Sequence, residues 1–214
     1  MSNIKINAQS SIRIEGSKVI HFDPFRITDE THDADIIFIT HEHFDHFSPE
    51  DIQKVANKNT MLIAPCSMQQ VVQEVAGIIG EIRLVNGVDP DGQLMIDDIL
   101  VKWVRAYNIG KPFHTKEREW IGYIVTFDGT TYFVPGDTDA NEDNINVDCD
   151  VLLVPCGGKY TFDALEAADF TCQIKPRKVI PTHYTNVDGQ PPIEEVFKNA
   201  VLKTAPEITV EIKL

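Results

Sequence analysis

Short apolar runs bounded by turn residues recur along the chain, and this pattern predicts β-strands. Helical patterns stand between them; the first begins after Ser48, whose hydroxyl can cap a helix that has Pro49 at its first position. The pattern indicates a mixed α and β protein with polar residues where strands end. The predicted strands are Ile12–Ile14, Val19–Phe22, Ile36–Ile39, Met61–Ala64, Ile99–Val104, Tyr123–Phe127, Tyr132–Val134, Val151–Val154, Val179–Ile180 and Ile208–Leu214, and the later helices are Cys66–Ala76, Asp163–Ile174 and Ile193–Leu202.

The length of 214 residues, with 43% apolar, suits one domain over residues 1–214, and no Pro/Gly/Ser-rich stretch divides it. The first residues do not form a basic segment followed by an apolar one, so no secretory signal is expected. No apolar run approaches the roughly 18 residues of a membrane span. The cysteines form no C-x-x-C pair and are expected to be reduced thiols of a cytoplasmic protein. They are Cys66, Cys149, Cys156 and Cys172.

The formal net charge is -14, and a surface this acidic repels phosphate backbones. The basic residues do not form a compensating run, because Lys111, Lys116 and Arg118 are interleaved with Glu117 and Glu119. The charge therefore argues against nucleic acid as a partner. A small-molecule substrate is expected instead, without a membrane partner, and the oligomeric state, a homo-oligomer included, is left open.

The clearest chemistry lies in the stretch ITHEHFDHF, which follows the apolar run Ile36–Ile39. Side chains alternate along a strand, so His41 and His43 can point to the same side. Asp45 and His46 converge only where the chain turns, and the helix start at Ser48 indicates such a turn. Imidazole and carboxylate groups at this density predict a site for zinc, iron or manganese.

Four further stretches complete a resemblance to the metallo-β-lactamase fold superfamily, whose signature is H-x-H-x-D-H after a strand. They are VIHFDPF with Asp23, AYNIGKPFH with His114, YFVPGDTD with Asp137 and VIPTHY with His183. The sequences GDTD, PCGGKYTF and PTHY are most similar to those of the branch of cytoplasmic metal-dependent hydrolases that includes ascorbate-6-phosphate lactonase. The resemblance implies an α/β protein with an αββα sandwich.

The resemblance also implies two divalent metal ions, zinc foremost, with manganese or iron as alternatives. One ion would be held by His41, His43 and His114, and the other by Asp45, His46 and His183. Asp137 would bridge them, and Asp23 would orient a ligand histidine through its ring N–H. Two such ions lower the pKa of a shared water, and the hydroxide attacks an ester, lactone, amide or phosphoester. Asp45 and Asp137 are therefore the candidate catalytic residues.

Several positions admit another interpretation. His114 lies between Gly110 and Lys116 in a loop, where an exposed surface histidine would look the same. Asp137 opens a run that resembles a calcium loop, but Glu142 stands where such a loop requires glycine. His183 could be a capped structural histidine. The histidines outside every motif, His21 and His32, are predicted to be surface or turn residues.

Loops near the ligands should form the substrate pocket. Cys156, beside this pocket, is expected to be a buried, inert thiol. Two other functions remain open: iron-dependent redox or oxygen chemistry on the same fold, and metal binding without catalysis. The flavodiiron branch has a glutamate where this chain has His43, which argues against the first. The candidate substrate-binding residues are Tyr107, Asn108, Lys159, Tyr160, Thr161 and Tyr184.

Overall fold

The computed structural model describes residues 3–89 and 92–214. Its first sheet has six strands that lie side by side in chain order. The first three strands are antiparallel, each to the next, and the third to the sixth run parallel. These strands are β1 (Asn3–Ile6), β2 (Ile12–Glu15), β3 (Val19–Phe22), β4 (Ile36–Phe38), β5 (Met61–Pro65) and β6 (Glu81–Val85). Helix α1 (Pro49–Val55) and two short 3₁₀ helices, Cys66–Met68 and Val71–Val75, follow β4 and β5 along the chain.

The second sheet has seven strands, also arranged in chain order from one edge to the other. Its first four strands are antiparallel, and the fourth to the seventh run parallel. These strands are β7 (Gln93–Ile96), β8 (Ile99–Arg105), β9 (Ile121–Phe127), β10 (Thr130–Val134), β11 (Val151–Pro155), β12 (Lys178–Thr182) and β13 (Thr209–Val210). A 3₁₀ helix spans Lys116–Arg118, and the α-helices are α2 (Ala164–Ile174) and α3 (Ile193–Thr204).

Alternation along β4 explains how the layers form. Ile36 and Phe38 pack in the core between the sheets, whereas Ile37 and the following Ile39 pack in a second cluster beneath α1. A third cluster lies between the second sheet and helices α2 and α3. The predicted αββα sandwich is therefore confirmed. None of the described helices is long and apolar enough to cross a lipid bilayer.

Several predicted elements need correction. The segment predicted as a helix at Cys66–Ala76 forms two 3₁₀ helices, consistent with its β-branched valines, which disfavour the α-helix. The terminal strand is confined to Thr209–Val210, and Ile208–Leu214 was too long. The sequence analysis did not identify β1, β6 and β7. Within the described part of the chain each pairs with one other strand, and their polar residues weaken the apolar pattern.

The prediction that His21 is a surface or turn residue is wrong. His21 lies within β3 with 1% of its surface exposed, and its Nε2 is 3.0 Å from the Arg13 guanidinium. Burial, followed by the charge of Arg13, lowers the pKa of His21 to about 4. His32, in contrast, has a half-exposed side chain outside the strands and helices, as predicted.

Tyr123 connects the two sheets where β4 ends. Its buried hydroxyl, on β9, lies 2.9 Å from the carbonyl oxygen of Ile39 and 3.2 Å from that of Ile63. The Ile63 carbonyl also accepts a hydrogen bond from the Ile39 N–H. Pro65, farther along β5, has no N–H to offer the Ile39 carbonyl. The tyrosine therefore supplies the donor that the strand ladder lacks.

We expect Tyr123→Phe to lower the free energy of unfolding by about 1–3 kcal/mol, because it leaves the buried Ile39 carbonyl without a donor. Urea denaturation followed by circular dichroism measures the loss. Tyr132→Phe is the matched control: Tyr132 is also buried in the core between the sheets, but its hydroxyl makes no hydrogen bond to a described residue. An equal loss in both variants would contradict this role for Tyr123.

Candidate metal centre

The predicted ligands come from the ends of strands in both sheets. The motif loop follows β4, Asp137 follows β10, and His183 directly follows β12. Within the motif loop, the N–H groups of His46 and Phe47 both donate to the His43 carbonyl. This turn lets the neighbouring Asp45 and His46 face the same site.

The first histidine group consists of His41, His43 and His114. Nδ1 of His43 lies 3.1 Å from Nε2 of His41 and 3.2 Å from Nε2 of His114. His114 is 4% exposed, so it is not the surface loop histidine that the sequence left open. The buried indole of Trp120 contacts all three rings, at centroid distances of 4.7, 4.8 and 5.4 Å. Sequence analysis missed Trp120, because it is distant in sequence from the motif.

The second group consists of Asp45, His46 and His183. Oδ2 of Asp45 lies 3.3 Å from Nε2 of His183 and 4.0 Å from Nε2 of His46. The two histidine rings stack at a centroid distance of 5.2 Å. The three side chains thus point their ligand atoms at one point, although they come from two different sheets.

Asp137 lies between the two groups. Its Oδ2 is 3.3 Å from Nε2 of His114 in the first group and 3.4 Å from Nε2 of His183 in the second. Its Oδ1 is 3.3 Å from Nε2 of His46. The carboxylate is therefore placed where a ligand shared by two cations would have to be.

The donor set fits divalent cations. A tetrahedral ion with metal–nitrogen distances of about 2.0–2.1 Å requires its ligand atoms to lie roughly 3.3–3.4 Å apart. Most of the separations quoted above are close to this value. In addition, Nε2 of His46, Nε2 of His183 and Oδ1 of Asp137 are buried without a hydrogen bond among the described residues. Such atoms are costly in a folded protein unless an ion or another group binds them.

Asp23 and Thr40 orient two of the ligand histidines from behind. Nδ1–H of His46 donates to Oδ2 of Asp23 over 2.7 Å, so Nε2 is the nitrogen that faces the site. The hydroxyl of Thr40 donates to the same carboxylate oxygen and can accept from Nδ1–H of His41, 3.0 Å away. Asp23 lies where the resemblance implied, whereas Thr40 was missed although it directly precedes His41.

The backbone is in the left-handed region at three residues of the site. Asp23, His114 and His183 have φ values of 44°, 52° and 52°, which are uncommon for residues other than glycine. The backbone N–H of His183 donates to the carbonyl of Gln9 over 3.0 Å. Gly157 permits this arrangement, because a Cβ there would lie 2.3 Å from the His183 carbonyl oxygen. Surrounding contacts thus fix the ligand loops.

A cavity of about 560 Å³ opens over the ligands. Of the predicted substrate-binding residues, Tyr160, Thr161 and Tyr184 line it. The other three stand outside its lining: Tyr107 is buried against basic side chains, Asn108 donates to the Tyr160 carbonyl, and Lys159 lies over the Tyr160 ring. Lining residues that sequence analysis missed are Gln9, Phe44, Phe113, Gly157 and Thr185.

Cys156 has an exposed fraction of 1%, and burial raises the pKa of its thiol above the ordinary range. The structure therefore confirms that this thiol is buried, as the sequence predicts. All four cysteines are free of disulfide bonds.

Comparison with known proteins places this geometry in a family. Residues 3–183 match the family described as "Beta-lactamase superfamily domain". The chain belongs to this superfamily. A UPF0173 metal-dependent hydrolase of Thermococcus kodakarensis is 31% identical over 94% of this chain and 92% of its own length.

Solved structures of other proteins have the same fold as this chain. A protein of Parabacteroides distasonis superposes with a TM-score of 0.82 at 30% identity, over 100% of this chain and 93% of its own. Igni18, a metallo hydrolase from Ignicoccus hospitalis, superposes with a TM-score of 0.76 over 99% and 94% of the two chains. At 20% identity, this second similarity concerns the fold alone.

His41 and His43 differ from His46 and His183 in their affinity for protons. Burial, followed by the nearby imidazole of His46, holds the pKa of His41 well below its ordinary value. Burial and the charge of His114 also lower the pKa of His43. These two imidazoles are therefore neutral at neutral pH, which is the form that binds a cation.

The histidines of the second group are held in their charged form. Burial opposes the charge on His46, but the carboxylates of Asp137 and Asp23 outweigh burial and raise the His46 pKa well above its ordinary value. Likewise, Asp137 and Asp45 raise the pKa of His183 against the effect of burial. A cation must displace a proton from each of these rings.

We therefore expect the second group to lose its cation first as the pH falls from about 8 towards about 5.5, because proton competition begins at higher pH for a group with a raised pKa. Zinc analysis after equilibrium dialysis at each pH should show one equivalent leaving before the other. His183→Ala should remove the acid-sensitive equivalent, and His43→Ala the resistant one. Simultaneous loss of both equivalents from the wild type would refute the assignment.

Proposed function

We propose that this metal-dependent hydrolase of the beta-lactamase superfamily binds two divalent cations and cleaves a small ester, lactone or phosphoester. One observation carries the proposal: the buried carboxylate of Asp137 lies within 3.4 Å of ligand nitrogens from both groups. Zinc is the proposed metal, because the site combines imidazole nitrogens with carboxylate oxygens; manganese and iron are the alternatives.

Each residue of the site has a role in this proposal. His41, His43 and His114 would hold one cation, and Asp45, His46 and His183 the other, with Asp137 shared. When bound, two cations lower the pKa of water and stabilise negative charge on oxygen. Asp23 and Thr40 keep the ligand nitrogens correctly oriented through the hydrogen bonds described above.

Asp45 has a second task in this proposal. Asp45 and Asp137 both line the cavity, but the Asp45 side chain is 18% exposed and that of Asp137 is 4% exposed. A carboxylate that reaches the cavity can accept a hydrogen bond from a water molecule beside the substrate and so orient it for attack. Asp137, which is less exposed, would act through its charge on the cations.

The proposed setting is a single domain over residues 1–214 that acts on a small molecule in the cytoplasm. The four unpaired cysteines are consistent with a reducing compartment. The cavity over the ligands supports catalysis over metal binding alone, because a purely structural site is closed by its ligands. Redox chemistry on the same fold is the alternative, and hydrolysis of a substrate in the screen would argue against it.

Asp137→Asn removes the shared charge but keeps the shape of the side chain. We expect the variant to retain its fold, to bind less than two zinc equivalents and to lose at least about a hundredfold in hydrolysis, because the cations lose their common counter-charge. Metal analysis together with an ester and phosphoester screen makes the test.

Glu142→Gln is the matched control in the same loop, because Glu142 is an exposed acid paired with Lys116 outside the ligand groups. It should change neither metal content nor turnover. If Asp137→Asn kept two tightly bound equivalents and full activity, the bridging role would be excluded. A wild type that binds two cations but hydrolyses nothing in the screen would instead favour metal binding without catalysis.

A further inference from the structure

Aromatic residues stand next to the ligands in the sequence and line the same cavity. Phe44 lies between His43 and Asp45, and Phe113 directly precedes His114. Their exposed fractions are 76% and 37%, and that of Tyr160, on the same cavity wall, is 42%. We refer to Phe44, Phe113 and Tyr160 as the aromatic rim. Exposed aromatic rings gathered around a cavity indicate a surface that binds an apolar group.

Contacts within the protein hold the rim in place. The ring of Phe113 meets that of Tyr160 edge to face at 4.8 Å, and Phe44 meets Phe25 at 5.9 Å. Edge-to-face packing of this kind favours one arrangement of the rings. The rim is thus partly ordered before a ligand arrives, so a ligand that covers it loses little side-chain entropy.

The charges around the cavity argue against a phosphorylated substrate. No described lysine or arginine lines the cavity. The nearest cations lie outside the lining and have partners in the protein: Lys111 pairs with Asp139 at 2.5 Å, and the ammonium of Lys159 lies 4.9 Å from the Tyr160 ring and 5.9 Å from the Phe113 ring. A phosphate monoester carries about -1.5 to -2 charges at neutral pH and is usually bound by such cationic side chains. The described lining of this cavity offers it no lysine or arginine side chain.

We propose that the substrate is a neutral carboxylic ester or lactone with an apolar group that packs on the aromatic rim. The inference rests on the hydrolase function proposed above and specifies its substrate class. Water adds to the carbonyl carbon, the bond from that carbon to the ester oxygen breaks, and the leaving oxygen takes a proton from the water. An ester yields an acid and an alcohol, and a lactone yields a hydroxy acid.

The first experiment compares phenyl acetate, phenyl butanoate and phenyl hexanoate with phenyl phosphate and diphenyl phosphate on the zinc-loaded wild type. All five share the phenoxide leaving group. We expect kcat/KM to rise with acyl length and to exceed the values for both phosphates by at least about a hundredfold. Faster cleavage of either phosphate than of every ester would overturn the inference and leave the hydrolase function standing.

Variants locate the effect on the rim. Phe113→Ala should raise KM for phenyl hexanoate by roughly tenfold, because a single apolar contact of this size changes discrimination by about that factor or more. The rise in KM should be smaller for phenyl acetate, so that kcat/KM depends less on acyl length than in the wild type. Phe44→Ala should do the same, and Phe113→Leu serves if an alanine variant does not fold. The control is Met95→Ala, which removes an exposed apolar side chain on β7 and should change nothing.

A binding measurement separates this inference from the proposed function. Hexanophenone has the apolar groups of the esters but cannot be hydrolysed, and its binding to the zinc-loaded protein can be followed by NMR. We expect Phe113→Ala to raise its Kd about tenfold and Met95→Ala to leave it unchanged. If no ester or phosphate is cleaved, the proposed hydrolase function is contradicted. The binding of hexanophenone still tests whether the aromatic rim binds an apolar group. The inference would be overturned if hexanophenone did not bind, or if Phe113→Ala left its Kd unchanged.

Discussion

The site depends on the burial of one carboxylate among several imidazoles. Asp137 is 4% exposed and lies within 3.4 Å of ring nitrogens of His46, His114 and His183. A buried charge is stable only when other charges or hydrogen bonds compensate it. Burial itself would raise the Asp137 pKa, but the charges of His183 and His46 hold it well below its ordinary value. The charged form persists, and in the proposed function it is the ligand that the two cations would share.

The fold supports this arrangement through hydrogen bonds that link backbone and ligands. Tyr123 supplies a donor to the Ile39 carbonyl, two residues before His41. Asp23 then binds both the backbone N–H and the hydroxyl of Thr40, and it also accepts from His46. The motif loop is therefore tied to β9 at its start and to the residue after β3 along its length. The positions of the candidate ligands therefore follow from the packing of the sandwich.

The sequence predicted the parts of the structure that depend on local patterns. The strands of the sandwich core alternate in polarity or are wholly apolar. The motif around His41 contains several candidate ligands within a few residues. Asp137, His114 and His183 could be assigned only through resemblance, because nothing in their local sequence tells a ligand from a turn residue. Trp120 and Gln9 could not be predicted, since their contacts with the ligands exist only after the sheets pack. The burial of His21 was missed because it depends on the pairing of β3 with β2, where Arg13 lies opposite it.

The position of the aromatic rim links metal binding to substrate choice. A side chain adjacent to a ligand shares its backbone, so Phe44 and Phe113 are placed as accurately as His43 and His114. The left-handed conformation of His114, with a φ of 52°, turns the chain at the point where Phe113 meets the cavity. Yet the rim residues contribute no atom to either ligand group. Their side chains can therefore change in size or polarity while the ligand geometry is kept by Asp23, Thr40 and Gly157. In this architecture, the loops that carry the ligands also determine which molecule reaches them.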